Sequence, residues 1–208
     1  MLFRSNTKMK DMGIRYGKQG ILVAAGSDAE VEDCRIYDSK ENGIFVEKAR
    51  SKSETFILKN SRIYDSEKRG IYVRKKKIEL EDNEIYDNEE EGIDLRSSVR
   101  GTIEGNEIYD NGESGLEMDL KRLDLKIQKN KITSNKTNGV NFQYRGRSRA
   151  GEVEMISNKI RKNKSFGLRC SAPAGGTPLK GYFSSAISLS KDEIADNKGG
   201  FSSAYCNF

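Results

Sequence analysis

The sequence predicts an all-β fold, a right-handed parallel β-helix of about eight coils with three parallel sheets. Three observations carry that prediction. An isoleucine recurs as Ile14, Ile36, Ile63, Ile85, Ile108, Ile132, Ile160 and Ile194, at steps of 22, 27, 22, 23, 24, 28 and 34 residues. A glycine followed by apolar-x-apolar keeps step with it, from Gly20-Ile21-Leu22-Val23 through Gly92-Ile93-Asp94-Leu95 to Gly167-Leu168-Arg169-Cys170. Asparagine and its small polar relatives recur at two fixed places beside the isoleucines that follow Ile14.

Each repeat supplies three short strands. The first is the apolar-x-apolar run after the glycine. The second is an alternating segment seen as Ile78/Leu80, Ile103, Leu125/Ile127, Val153 and Ile187/Leu189, and the third is centred on the isoleucine. All three have a period of two and are separated by Gly, Asn, Asp and Ser, which is strand-and-turn grammar with no helical period. Strands that recur once per coil pair in parallel with their own copies, and such crossovers are right-handed.

The two polar columns fit the turns. Two before the isoleucine stand Cys34, Ser61, Asn83, Asn106, Asn130, Asn158 and Asp192, and three after it stand Ser39, Ser66, Asn88, Asn111, Asn135, Asn163 and Asn197. An amide repeated once per coil bonds its copy in the next coil and satisfies turn backbone that no sheet ladder reaches. One after the isoleucine runs Tyr37, Tyr64, Tyr86 and Tyr109, continuing as Thr133 and Arg161. Stacked phenols in register stabilise a parallel sheet, and the alternative is an aromatic rail for a glycan.

Length and composition agree with one elongated domain over 1–208, its repeats spanning roughly 14–197, with insertion loops at 145–151 and 171–186. With 35% apolar and 33% charged residues the chain lacks material for a broad core. A solenoid needs only a thin apolar column. No run is long enough to span a membrane, and residues 1–17 lack the apolar stretch of a secretory signal. A native start upstream of Met1 would change that reading, so the compartment stays open. Cys34, Cys170 and Cys206 are odd in number and form no CxxC pair, which argues against a disulfide framework or a zinc site. Cys34 and Cys170 fall at inward positions. Lys75-Lys76-Lys77 reads as a solvated corner, and Phe201 and Phe208 as candidates to cap the last coil.

The motif N-x-I-Y-D-N, as in Asn83-Glu84-Ile85-Tyr86-Asp87-Asn88, followed by G-[IVL]-x-[VLM], resembles the right-handed parallel β-helix repeat family of the pectate-lyase-like superfamily. The resemblance covers Ile14 to Asn197. It implies the fold, but lyases, hydrolases, epimerases, tailspikes and adhesins all share that repeat, so it does not choose an activity. It also implies a cell-surface or secreted location, should the native start lie upstream. Polysaccharide lyases of this superfamily use acidic calcium ligands and an Arg or Lys base on an outer sheet face.

On that face the x of the glycine motif reads Leu22, Phe45, Tyr72, Asp94, Glu117, Asn141 and Arg169, and the next outward column reads Ala24, Glu47, Arg74, Arg96, Asp119 and Gln143. Asp94, Glu117, Asp119 and Arg96 therefore share one patch and are the candidate catalytic residues. Carboxylates one coil apart suit an acid/base pair or an optional calcium ion on Asp94, Glu117 and Asp119. No cofactor is required. The plainer account is cross-strand charge pairing on an exposed sheet. Candidate ligand-binding residues are Phe45, Tyr72, Arg74, Asn141, Arg145, Arg147, Arg149, Arg161 and Arg169.

Residues 1–119 carry 20 Lys/Arg and 26 Asp/Glu, whereas 120–208 carry 17 and 6. The basic half points to a polyanion, or to head-to-tail contacts between copies. No nucleic-acid motif accompanies it, which argues against sequence-specific binding. Against catalysis stand the absence of histidine, of the Asp-Pro-His-Asp signature of mannuronan epimerases and of the Gly-His-Gly of polygalacturonases. The preferred expectation is a protein binding an acidic polysaccharide on its outer sheet. The alternatives are a polysaccharide lyase or glycoside hydrolase acting on acidic glycans, and a structural module stacking end to end.

Overall fold

A computed structural model describes residues 1–207 apart from 52, 145, 147–149, 173–177, 179 and 180. Among the described residues the chain folds into strands and turns without helices, as three parallel sheets of eight strands each. The first sheet runs from Leu2–Phe3 to Leu168–Ser171, the second from Thr7–Lys10 to Ile187–Ser190, the third from Gly13–Arg15 to Glu193–Ala195. Seven turns separate the first and last strand of each sheet. Strands precede Ile14, so the coiled part begins earlier than the isoleucine repeat marks it.

Register follows the repeat. Ile36, Ile63, Ile85, Ile108, Ile132 and Ile160 pair in succession, and all are fully buried. Their inward neighbours from the other two sheets, such as Ile93, Leu95, Leu80 and Ile103, complete a core about one side chain wide. Such a core is close-packed coil on coil, so each residue's burial depends on the coils on either side.

The polar columns form ladders inside the turns. In one, Asn83, Asn106 and Asn130 each donate Nδ2 to the Oδ1 of the next member at 2.9 Å, and Asn158 donates on to Asp192 Oδ1 at 2.7 Å. The other links Asn88, Asn111, Asn135, Asn163 and Asn197 in the same way at 2.8–3.0 Å. Each side chain also serves turn carbonyls; Asn111 Nδ2 donates to Ile85 O and Tyr109 O, both at 3.1 Å. The repeat glycine is required by this packing. A Cβ on Gly92 would lie 2.7 Å from Gly115 O and Ile108 Cγ2, and 2.8 Å from Asn111 Nδ2. The aspartate after each tyrosine supplies the left-handed turn residue that Asp tolerates better than most, with φ of 52, 54, 52 and 55° at Asp38, Asp65, Asp87 and Asp110.

Outside the third sheet, Tyr37, Tyr64, Tyr86 and Tyr109 stack with centroids 4.9–5.1 Å apart and planes within 2–4°. The rings cover one another's faces, so the column presents edges to solvent and offers no sugar platform along its length.

Three expectations change. Lys76 is fully buried rather than part of a solvated corner. Its Nζ donates to Ser27 O and lies 3.0 Å from Glu54 Oε2, while Glu54 also accepts backbone N–H groups of Gly26, Arg50 and Ser51. A three-lysine run shows no period, so the sequence pattern carries no sign that the middle one turns in. Cys170 and Cys206 are joined in a disulfide, across 36 residues of sequence and 5.1 Å between Cα atoms. The pair is invisible to spacing rules because the coil, not the sequence, brings them together. Phe201 does not cap the coil with its ring, which is 46% exposed; its carbonyl does, accepting Leu168 N–H at 2.8 Å. Phe208 lies outside the described residues.

Asn111→Ala strands the Asn88 amide donors and two turn carbonyls in a buried place, and is expected to cost about 2–4 kcal/mol in urea unfolding. Lys76→Met leaves Glu54 buried without its cation and is expected to cost about 3 kcal/mol, whereas Lys75→Met, at an exposed side chain, is neutral within about 0.5 kcal/mol.

Candidate functional site

The outer face of the first sheet carries the columns singled out from sequence. Tyr72, Asp94, Glu117, Asn141 and Arg169 stand in direct register on successive strands, with Arg96 next to Arg74 and Gln143 next to Asp119. These side chains point away from the core, yet Asp94 is 0% and Glu117 6% exposed. A further column buries them.

That column is the residue before each repeat glycine: Arg69, Glu91, Ser114, Asn138 and Phe166. Backbone bonds hold it in step, with Gly70 N donating to Glu91 O and Gly92 N to Ser114 O. Arg69 folds over the sheet so that its Nε lies 2.8 Å from Asp94 Oδ2 and 3.0 Å from Glu91 Oε2, while Nη1 lies 2.9 Å from Glu90 Oε2. Arg96 closes the other side. Its Nη2 donates to Asp94 Oδ2 at 2.8 Å and Glu117 Oε1 at 2.7 Å, and its Nη1 to Gln143 Oε1 at 2.8 Å. The exposed charge pairs expected from sequence are thus a desolvated cluster.

Burial pushes Glu91 up to about 8, helped by the neighbouring Asp94 and Glu117 charges and opposed by Arg69. Burial also raises Asp94, to about 6, against the pull of Arg96 and Arg69. At neutral pH the two guanidiniums then face an ionised Asp94 and a protonated Glu91. Burial beside two other acidic groups is the physical meaning of the raised values, because a third ionised carboxylate in such a place is too costly.

Oxygens of Glu91, Asp94 and Glu117 lie within 4.8 Å of one another. Asp119, the third calcium ligand expected from sequence, does not join them. It accepts from Ser97 Oγ at 2.8 Å and from Lys121 N at 3.0 Å. Arg96 already bridges Asp94 and Glu117, so a cation between those two carboxylates has to displace it.

The aromatic candidates are occupied as well. Phe45 stacks on Tyr72 at 5.2 Å, and the Arg69 guanidinium sits 5.1 Å from the Tyr72 ring centre. Arg74 is exposed. Arg161 belongs to the third sheet, where Glu193 and Asp196 hold it at 3.1 and 2.6 Å. Arg145, Arg147 and Arg149 lie outside the described residues.

Towards the end of the solenoid the face opens into a groove of about 760 Å³. Its floor is Glu117, Asn141, Gln143, Arg169 and Ser171, and its sides include Phe166, Ser203 and Tyr205. The floor is wired together: Asn141 Nδ2 donates to Glu117 Oε2 at 2.6 Å, and Ser171 Oγ donates to Asn141 Oδ1 at 3.1 Å. Arg169 is exposed and has no carboxylate partner among the described residues. Tyr205 is 66% exposed. The sequence reading missed Arg69, Glu91, Phe166, Ser203 and Tyr205. The first three sit in a column that the glycine repeat marks; the last two come from a segment outside the repeat.

Among solved structures, the A-module of the mannuronan C-5 epimerase AlgE4 from Azotobacter vinelandii superposes with a TM-score of 0.75 at 18% identity, over 98% of this chain and 57% of that one. A point mutant of the periplasmic alginate epimerase AlgG superposes with a TM-score of 0.68 at 14% identity, over 93% of this chain and 49% of that one. The chain spans about half the length of these structures, and the likeness is one of fold. No curated protein sequence matches it significantly. The family model described as the right handed beta helix region matches residues 19–181. The chain belongs to that right-handed β-helix family.

Proposed function

We propose that the chain binds an acidic polysaccharide in the groove between Glu117 and Tyr205. The observation that carries this reading is Arg169, an exposed guanidinium without a carboxylate partner among the described residues, standing over a floor of amides and hydroxyls. A guanidinium fork recognises a uronate carboxylate, while Asn141, Ser171 and Ser203 match sugar hydroxyls and Tyr205 and Phe166 offer apolar surface to a ring. The excess of Lys/Arg over residues 120–208 adds long-range attraction for a polyanion. The two fold neighbours named above are epimerases of mannuronan and alginate, which makes alginate the natural first probe.

The same geometry favours binding over chemistry. Asp94, Glu117 and Arg96, the residues proposed from sequence for catalysis, are tied to one another beneath the face, and Asp119 is turned aside. The Cys170–Cys206 disulfide supports an oxidising compartment, in keeping with a glycan ligand outside the cytosol. No helix among the described residues is long and apolar enough to cross a membrane.

Calorimetric titration with polymannuronate and polygalacturonate, with and without calcium, against neutral dextran, tests the reading. Saturable heat with the two polyuronates and none with dextran is expected. Arg169→Ala should weaken binding by about tenfold or more, the worth of a charge-assisted hydrogen bond, whereas Arg161→Ala, already spent on Glu193 and Asp196, should not. Equal binding by both variants would sink the assignment. A lyase would instead raise the ultraviolet absorbance of the unsaturated uronate product, and no rise is expected.

The buried cluster makes a separate prediction about pH. Glu91 and Asp94 titrate at about 8 and about 6, above their ordinary 4.5 and 3.8. Raised carboxyl values stabilise the fold fully below the ordinary values, and that contribution is lost as pH rises through the folded ones. The melting temperature should therefore decline between pH 5 and pH 9, and Glu91→Gln should flatten the upper part of the decline. A flat profile in the parent protein would contradict the desolvated cluster.

A further inference from the structure

We propose that the Cys170–Cys206 disulfide is a clasp that builds the far wall of this groove, so that the complete binding surface exists only in the oxidised chain. The inference rests on the groove being the binding site and adds the condition under which it forms.

Among the described residues the floor strand Leu168–Ser171 is the last of the eight strands in the first sheet. The chain leaves for the second and third sheets and returns as the segment after Gly200, which lies along that strand. Leu168 N donates to Phe201 O at 2.8 Å, Ser203 N donates to Leu168 O at 3.0 Å, and Cys170 N donates to Ser203 Oγ at 3.0 Å. A parallel bridge pairs Leu168 with Ser202. These bonds cover the exposed edge as an extra strand would. They stop at Ser203. Beyond it, Cys206 N donates only within its own turn, to Ser203 O at 3.0 Å, and the covalent tie to Cys170 is what returns the segment to the floor.

The position of that tie matters. Cys170 sits between Arg169 and Ser171, two groove-floor residues, while Cys206 directly follows Tyr205, the groove's exposed aromatic. One bond thus ties the backbone that carries the guanidinium to the backbone that carries the ring. Both sulfurs are buried, Cys170 at 2% and Cys206 at 0% exposed, beside Tyr182 and Phe183 from the preceding insertion. A reductant reaches them only after the segment lifts, so the wall persists once it has formed.

Opening the clasp is a thiol–disulfide exchange. A dithiol attacks one sulfur, the S–S bond breaks, the second dithiol sulfur displaces the mixed disulfide, and the dithiol becomes a cyclic disulfide. Two electrons and two protons pass to Cys170 and Cys206, which end as thiols.

The test compares the oxidised chain, the chain reduced with dithiothreitol, and the Cys206→Ser variant. Hydrogen exchange reads the wall directly. Faster exchange is expected at the amides of Leu168, Cys170, Ser203 and residue 206 in the two unbridged forms, with the Asn106 and Asn111 amides unchanged as a check that the solenoid is intact. Titration with polymannuronate reads the consequence, with affinity expected to fall about tenfold in both unbridged forms, and with Tyr205→Ala in the oxidised chain expected to reproduce most of that loss. Unchanged exchange at Leu168 and Ser203 after reduction, or undiminished affinity in the reduced chain, would overturn the proposal. Should the oxidised chain fail to bind any polyuronate, the glycan reading falls, and the exchange comparison still decides whether the clasp holds the wall.

Discussion

Vertical register is the constraint on which this structure depends. Each turn leaves backbone groups that no sheet ladder can reach, and each is satisfied by a side chain from the same place in a neighbouring coil. Asn106 shows the arrangement: it accepts from Asn83, donates to Asn130, and donates to Leu80 O and Glu104 O at 3.0 Å. An amide here can neither shift along the chain nor change length without stranding buried donors. The core obeys the same rule, because a column one isoleucine wide is dry only while its neighbours stand directly above and below it.

Register has a cost on the outer face. Stacking like positions places like charges together, and Asp94 directly beside Glu117 is an unfavourable pairing on an open sheet. Two guanidiniums from adjacent columns resolve it, one from the turn and one from the strand, and in doing so they exclude water. Exclusion then raises Glu91 and Asp94 until one proton remains to balance the charges. The cluster is thus a product of the repeat and needs no bound ligand to account for it.

What was legible from the residues, and what was not, follows the same division. Ile85, Gly92, Asn88 and Tyr86 recur at one place in every coil, so their burial, close packing, hydrogen bonding and stacking were all readable. The contact between Asp94 and Glu117 was readable for the same reason. Lys76 was not, since its partner Glu54 lies 22 residues away in a turn of unequal length that the repeat does not index. Arg69 and Glu91 were half readable: their column is marked by the glycine that follows, but whether a long side chain there turns over the sheet or out to solvent depends on the charges already on the face. Cys206 and Tyr205 were beyond reach. They belong to a segment that joins the solenoid by returning to it, and no periodic argument places such a segment.

This explains where the groove lies. Coils whose isoleucines are 22 to 24 residues apart have just enough chain for three strands and their turns, and over that stretch the first sheet presents a filled, ion-paired surface. A cavity needs walls, and walls need chain beyond the three strands. Here the segment after Gly200 supplies it, bringing Ser203 and Tyr205 over the floor in the last coils, where the charge also changes from an excess of acids to an excess of Lys/Arg. An exposed cation and a returning segment meet at Arg169. A ligand site built from repeat positions alone would have been flat, and its charges would have been consumed by one another; this one is concave and keeps a charge to offer because its far side escapes the repeat.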